Sequence, residues 1–288
     1  MRGLETDVRR LRKAVFVRIA EIAYHSDNLI DDIEAIPYEI TEGEKPHFCE
    51  SIYRERAITR ERVRLAMGLS LRPQDKPVHA TQGIENSNID EKYYEPPLMQ
   101  VIPSACNACE ANMYEVSDQC KGCVAHPCRE VCPRGAITMI HGKSYIDQSK
   151  CIKCGKCKQN CPYDAIAHKT RPCAVACGVG AIESDELGRA KINPDKCVSC
   201  GMCMVSCPFG AIADKSQIYQ LIQCMKSGHQ VIAAIAPAIV GQFGKFITPA
   251  QIKEALLDLG FADVYEVAIG ADEGCMEEAK HYVDDVAT

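Results

Sequence analysis

Residues 151–166 read CIKCGKCKQNCPYDAI, and residues 197–212 repeat the plan as CVSCGMCMVSCPFGAI. Each places its cysteines as C-x2-C-x2-C-x3-C and follows the last with proline. Three thiolates at two-residue gaps lie on one tight loop, which wraps three iron corners of an iron–sulfur cube. The fourth, followed by proline, reaches a neighbouring cube. Gly155 and Gly201 fit where backbone crowds a cluster, and Pro162 and Pro208 redirect the chain after the last ligand. Structural zinc also takes C-x2-C pairs, but it gives no reason for a fourth Cys-Pro at this spacing, twice. The two runs predict 4Fe-4S ligation.

Two further segments follow the same plan less strictly. Residues 120–137, CKGCVAHPCREVCPRGAI, carry two extra residues before Cys128; His126, among them, reads as a turn residue and not as a ligand. Residues 173–182, CAVACGVGAI, keep Cys-x3-Cys and the trailing Ala-Ile, with Gly178 where proline would stand. The tails CREVCPRGAI, CKQNCPYDAI, CAVACGVGAI and CMVSCPFGAI form a repeat. The offset is 29 residues from Cys128 to Cys157, 16 from Cys157 to Cys173, and 30 from Cys173 to Cys203. Near-equal offsets of 29 and 30 predict two two-cluster modules of ferredoxin type.

Crossed ligation assigns Cys120, Cys123, Cys128 and Cys161 to one cluster of an inner module. Cys151, Cys154, Cys157 and Cys132 hold its partner. In the outer module Cys197, Cys200, Cys203 and Cys177 form a complete set. Cys173 and Cys207 then lack two thiolates in C-x2-C spacing, and Cys106 and Cys109 supply that pair. The inner module, about 118–168, is thus expected to interrupt the outer motif between its second and third ligands. The complete runs call for at least two clusters, and the full assignment for four on sixteen cysteines. The competing reading of Cys106 and Cys109 is a small zinc site or free thiols. Cys49, Cys224 and Cys275 stand alone and read as small buried apolar residues.

The rest of the chain sets limits on function. A net charge of −6 argues against nucleic-acid binding, which needs a basic footprint. The first residues, MRGLETDVRRLRKAVFVRIAEIAYH, are charged throughout and lack the apolar core of a secretory signal. No stretch approaches the ~20 apolar residues that span a bilayer. In a reducing cytoplasm the 19 cysteines stay free for metal instead of pairing as disulfides. No nucleophile with a base, phosphate loop or dinucleotide fingerprint is present; GVGAIE and AIGADEG fall short of the last. No catalytic residue is assigned.

The fold class expected is α+β, in four regions. Residues 1–70 read as helices, with Val8, Leu11, Val15, Ile19 and Ile22 forming an apolar stripe. A second helix, residues 51–69, carries Arg54, Arg56, Arg60, Arg62 and Arg64. These suit an acidic partner, or more simply a solvated helix face. Residues 71–100 are rich in proline, glycine and polar residues and read as a linker or extended arm. Residues 101–228 hold the cysteines. In residues 229–288, VIAAIAPAIV (231–240) and DVYEVAIG (263–270) read as strands, and 272–285 as a helix with Asp272 and Glu273 at its N-terminus. Between the strands, Thr248-Pro249 caps a helix carrying Ile252, Ala255, Leu256 and Leu259, which Gly260 stops. Strand, helix, strand of this length implies a parallel pair with a crossover. This βαβα unit is incomplete, because two strands and two helices do not close a core.

Taken together, these motifs resemble the iron-iron (FeFe) hydrogenases, in particular the monomeric ferredoxin-linked group whose catalytic domain follows a polyferredoxin region. The resemblance is carried by residues 47–69 (HFCESIYRERAITRERVRLAMGL), 102–137 with 171–182 (RPCAVACGVGAI), 231–243 (VIAAIAPAIVGQF) and 258–272 (DLGFADVYEVAIGAD). It implies an electron relay for ferredoxin-linked reversible proton reduction to hydrogen. Ferredoxin or a similar redox protein is the implied external partner. The chain departs from the family in one respect. The later motifs that hold the active-site cluster, beginning with Ser/Thr-Cys-Cys-Pro, do not occur before Thr288, and Cys275 in GCMEE is no substitute. The expectation is a relay portion that is truncated or completed by a catalytic hydrogenase chain, without hydrogen turnover of its own. The alternative is a standalone polyferredoxin or electron-transfer subunit of another oxidoreductase.

Overall fold

The computed structural model describes residues 4–73, 75–76, 78–87 and 97–286. It begins with three helices, α1 (Asp7–His25), α2 (Leu29–Ile40) and α3 (Ile52–Ala66). The Thr6 hydroxyl accepts a bond from the Arg9 amide and starts α1. Leu11, Val15, Ile19 and Ile22 of its stripe are buried, and Val8 is half-buried. Met67 caps α3, and Gly68 follows with φ +75°, a left-handed turn that favours glycine. These helices share one apolar core with Tyr219 and Ile222 of a later helix and with Ile102, Ala105, Cys207 and Ala211 of the cysteine region.

The arginines of α3 depart from the expected solvated face. Arg62 and Arg64 are buried, and almost every residue from Glu55 to Leu69 is partly or fully covered. The helix lies among α1, α2 and the cysteine region, so its long side chains run inward to backbone carbonyls. Arg64 donates to the carbonyls of Ser70, His79, Ala80 and Gln82. Arg56 reaches Thr41 and Gly43, and Arg54 reaches Ser104. Residues 78–87 are accordingly packed, with Ala80 and Ser87 buried. At the far end of the expected linker Met99 and Gln100 belong to a strand, and residues 74, 77 and 88–96 lie outside the described residues.

The cysteine region alternates short strands and single-turn helices. In order they are β1 (Met99–Val101), β2 (Asn112–Val116), α4 (Pro127–Glu130), β3 (Ile137–Ile140), β4 (Lys143–Ile146), α5 (Lys156–Gln159), β5 (Ile166–Thr170), α6 (Pro172–Val175), β6 (Ile182–Ser184), β7 (Ala190–Ile192), α7 (Met202–Ser206) and β8 (Ile212–Asp214). All pairings among them are antiparallel: β1 with β8, β2 with β5, β3 with β4, and β6 with β7. The isoleucine that closes each repeated tail, Ile137, Ile166, Ile182 or Ile212, opens a strand. The β2–β5 pair joins Asn112 to Thr170 and encloses β3 and β4. The β1–β8 pair joins Met99 to Asp214 and encloses everything between. Next comes α8 (Ile218–Lys226), which packs on α1; the Lys226 ammonium donates to the carbonyls of Ala23 and Tyr24 at the end of that helix. Arg12 of α1 pairs with Asp214 of β8 at 2.8 Å.

The C-terminal unit is β9 (Ile232–Ile235), α9 (Pro249–Asp258), β10 (Asp263–Glu266) and α10 (Val267–Asp285), with β9 and β10 parallel. Thr248 and Gln251 form a reciprocal capping box at the start of α9. Of the expected stripe on α9, Ile252 is buried, Leu256 is partly covered, and Ala255 and Leu259 are exposed. Both strands are shorter than expected, and the last helix starts at Val267 instead of near Asp272. The ladder ends at the pair Glu266–Ile235, because Pro237 has no N–H and begins a short 3-10 turn. Residues 267–270 then have no strand to pair with and wind into α10. Asp272 and Glu273 therefore lie inside the helix, not at its N-terminus. One side of this two-stranded sheet is open, with Ile232 and Tyr265 exposed. Among the described residues, no helix is long and apolar enough to cross a membrane.

Candidate metal centres

The four expected ligand sets share a repeated backbone. In each C-x2-C pair the residue before the second cysteine is left-handed: Ala108 at φ +45°, Gly122 at +59°, Lys153 at +58° and Ser199 at +55°. Only one of the four is glycine. A side chain at such a φ is unfavourable, so its recurrence at Ala108 gives Cys106–Cys109 the same backbone turn as the other three pairs. A left-handed residue beside right-handed ones turns successive N–H groups inward, which suits an anionic guest.

The third cysteine of each set is the second residue of a single-turn helix: Cys128 in α4, Cys157 in α5, Cys173 in α6 and Cys203 in α7. All four are buried. Two residues earlier the chain is again left-handed at His126, Gly155 and Gly201. His126 thus takes the backbone role that glycine has in the two strict runs. At Gly155 the crowding is with a side chain, since a Cβ there would lie 2.7 Å from the Tyr114 hydroxyl, whereas a Cβ at Gly201 would meet only Met204 at 3.9 Å, so there the left-handed φ is what favours glycine. Three residues after the fourth cysteine, Gly135, Asp164, Gly180 and Gly210 are left-handed as well.

Amide donors reach the sulfurs in a matching pattern. The N–H of Ala136 donates to Cys132 Sγ at 3.3 Å, that of Ala165 to Cys161 at 3.4 Å, and that of Ala181 to Cys177 at 3.2 Å. On the first ligands, Ser144 of β4 donates to Cys120 at 3.5 Å, and Ala190 of β7 donates to Cys106 at 3.4 Å. β4 and β7 are the second strands of equivalent hairpins, so Cys106 stands in the outer sheet pair as Cys120 stands in the inner one. Such bonds favour the thiolate and shift the potential of a bound cluster.

At Arg171 the split motif departs from the repeat. Where the others have a left-handed residue, Arg171 is extended, at φ −77°. Its side chain is buried and makes five bonds. Nε and Nη2 donate to the Cys109 carbonyl at 2.9 and 2.8 Å, and Nη2 also to Gly188 at 2.7 Å. Nη1 donates to the Glu183 carbonyl and the Ser184 hydroxyl, each at 3.0 Å. Arg171 therefore holds the end of the Cys106–Cys109 turn beside Cys173, a join that the other motifs make covalently. Sequence reading missed this residue; its one signal is an arginine where the repeat has Gly or His.

The thiols also sense one another. Burial first, then the neighbouring thiolates of Cys207 and Cys106, push Cys173 up to about 11, against the pull of Arg171. Cys109 is raised by burial and by Cys106 and Cys207. Cys203 is raised mainly by burial, with Cys197 and Cys177 adding to it, and Cys157 by burial, with Cys151 and Cys154 adding. At Cys120 burial is outweighed by the amides of Ser144 and Gly122, and the thiol falls below its usual range. Among the described residues, no three His, Cys, Asp or Glu side chains converge tightly enough to enclose a single ion. The all-thiol donors, repeated turns and inward amides fit a 4Fe-4S cube. Cys49 and Cys224 are half-buried, whereas Cys275 is exposed on α10, contrary to expectation.

Comparison with known proteins agrees with both halves of this geometry. Residues 144–167 and 190–213 match the family model described as 4Fe-4S binding domain. Residues 229–288 match that of the iron only hydrogenase large subunit, C-terminal domain. Among curated proteins, the chain is 47% identical over 55 residues to a probable iron-sulfur protein of the Frd operon of Proteus vulgaris, covering 18% of this chain and 34% of that protein. It is 39% identical over 61 residues to the electron transport protein HydN of Escherichia coli, covering 21% and 35%. It is also 51% identical over 49 residues to a dihydromethanopterin reductase (acceptor) of Methanosarcina mazei, covering 17% and 20%. The chain thus spans about a third or less of each of these relatives. It carries 4Fe-4S electron-transfer modules followed by part of an iron-only hydrogenase C-terminal domain.

Proposed function

We propose that these 288 residues are the electron-relay portion of a cytoplasmic FeFe-hydrogenase-like protein, holding four 4Fe-4S clusters in two ferredoxin-type modules, one inserted in the other. The observation that carries this reading is the ligand turn recurring at Cys106, Cys120, Cys151 and Cys197, each with a buried third cysteine on a single-turn helix. Residues 112–170, closed by β2 and β5, form the inserted module. Cys120, Cys123, Cys128 and Cys161 hold one of its clusters, and Cys132, Cys151, Cys154 and Cys157 the other. In the outer module Cys177, Cys197, Cys200 and Cys203 hold one cluster, and Cys106, Cys109, Cys173 and Cys207 its neighbour.

A bound cluster of this type takes up or gives one electron with little rearrangement. The chain contributes thiolates, amide donors to sulfur, and apolar walls around Cys128, Cys157, Cys173 and Cys203 that limit water. Ferredoxin or a similar carrier exchanges electrons with the modules, and the open side of the β9–β10 sheet is where the rest of a hydrogenase catalytic domain packs. These residues assign no proton-transfer group and turn over no hydrogen by themselves. The test is anaerobic purification with iron and sulfide quantitation and EPR after dithionite. About sixteen irons per chain are expected from four cubes. About eight would discard the nesting, and a colourless, EPR-silent zinc protein would overturn the whole reading. Hydrogen turnover by these residues alone would overturn their role as relay only.

A further inference from the structure

Two buried guanidinium groups stand against one ligand set and lack a hydrogen-bonded carboxylate partner. Arg62 reaches from α3 into the outer module, where Nη2 donates to the carbonyl of Gly210, three residues past Cys207. It is 6% exposed, and its Nε is buried without a hydrogen-bond partner. Asp214 is close enough to act on it, but that carboxylate is engaged by Arg12 at 2.8 Å. Arg62, Arg12 and Cys207 line one cavity of about 500 Å³. Beside Cys109 and Cys173 of the same set, Arg171 is 4% exposed and donates only to uncharged oxygens, twice to the carbonyl of Cys109. A charge removed from water is costly unless an opposite charge is near. Flanking the other sets, the cations are exposed: Lys143 and Lys196 are about half exposed and paired with Asp118 and Glu183, and Lys150, Lys153, Lys156 and Lys158 beside Cys151, Cys154 and Cys157 face water.

We propose that the cluster held by Cys106, Cys109, Cys173 and Cys207 is the most readily reduced of the four, because buried Arg62 and Arg171 stand against it. This rests on the four-cluster reading above. Four thiolates leave a bound cube net negative, and reduction adds one further negative charge. Fixed cations in a site of low dielectric favour the reduced form, whereas half-exposed lysines are screened by water. The relay then has a low point at the outer module, beside the N-terminal helices, where an electron rests between transfers. Those helices become part of the redox machinery through Arg62.

The test is an EPR-monitored redox titration of the fully loaded, full-length chain under anaerobic conditions. One wild-type signal should reduce at a higher potential than the other three and disappear in Cys173→Ser. Arg62→Gln should lower that midpoint alone, so that the reduced-to-oxidised ratio at fixed potential falls about tenfold or more, a shift of about 59 mV for one electron. Arg62→Lys, which keeps the charge, should recover most of it. Four signals titrating together, or a highest midpoint that survives Cys173→Ser, would overturn the proposal on the wild-type protein even if Arg62→Gln did not fold. An unmoved midpoint in a fully loaded Arg62→Gln would overturn it too. Absence of iron from the wild-type chain would instead remove the reading on which it rests.

Discussion

Replacing Arg171 by methionine keeps an unbranched apolar stem and removes all five of the side chain's hydrogen bonds. A hydrogen bond from a charged donor contributes about 1.5–3 kcal/mol, and a buried acceptor left unsatisfied costs about 1–3 kcal/mol. Four acceptors lose a partner here: the carbonyls of Cys109, Glu183 and Gly188 and the hydroxyl of Ser184. A simple sum overshoots, because the acceptors belong to one network and the outer module relaxes around the loss. A cost of about 3–5 kcal/mol, near the upper limit for single substitutions, follows. It should fall on the outer module, since the β2–β5 pair and the core around Cys128 and Cys157 have no part in these bonds. In anaerobic urea titrations, visible absorption from the split set should bleach first, and iron should drop from about sixteen to about twelve per chain. Arg171→Lys, one donor group in place of three, should lie between. A methionine variant with full iron, bleaching within about 1 kcal/mol of wild type, would refute the idea that Arg171 joins the split motif.

Three further outcomes are expected. Cys106→Ser should lower iron by about four per chain, whereas Cys49→Ser should leave it unchanged; equal iron in both variants would place Cys106 outside the ligand set. Gly122→Ala would press a Cβ into the backbone carbonyl of Gly142 and should destabilise by more than about 2 kcal/mol, whereas Gly135→Ala meets open space and should cost about 1 kcal/mol for its φ of +56° alone; equal midpoints in urea would contradict this. Glu55 accepts the amides of His47, Phe48 and Cys49, which outweigh burial and hold its carboxyl below the usual range. Its contribution is present above the unfolded value of about 4.3 and lost as pH falls through the lower folded value, so Glu55→Gln should cost about 2 kcal/mol at neutral pH and flatten the acid limb in stability measured by circular dichroism.

The turns around the cysteines were legible because their geometry is local. Spacing of two and three residues sets the reach of a thiolate, and it left its mark even where glycine is replaced by His126 or Asp164. The interrupted third run and the proline-free fourth run keep the single-turn helix at Cys128 and Cys173. What was not legible depends on distant partners. The alternating Arg and Glu of α3 look like a surface pattern, and nothing nearby says that Arg62 and Arg64 end on carbonyls 148 and up to 18 residues away. In the C-terminal unit the residues Val267–Gly270 suit a strand by composition, but a strand exists only with a neighbour, and β9 has already stopped at Ile235.

The proposed nesting of one module in another requires the inserted piece to leave and return at nearly the same place, or the interrupted set of cysteines is pulled apart. The β2–β5 pair meets this requirement. Asn112 and Thr170 are cross-strand partners, so the chain departs after Cys109 and re-enters just before Arg171 across the width of one strand pair. An insertion with distant ends would separate Cys109 from Cys173 however well each half was formed. Arg171 finishes the join by holding the Cys109 carbonyl from both Nε and Nη2. This explains why the split motif can do without a left-handed residue two places before its third cysteine. In the strict runs that residue turns a continuous chain from the second ligand to the third. Here there is no such continuous turn, and an arginine spanning the gap takes its place.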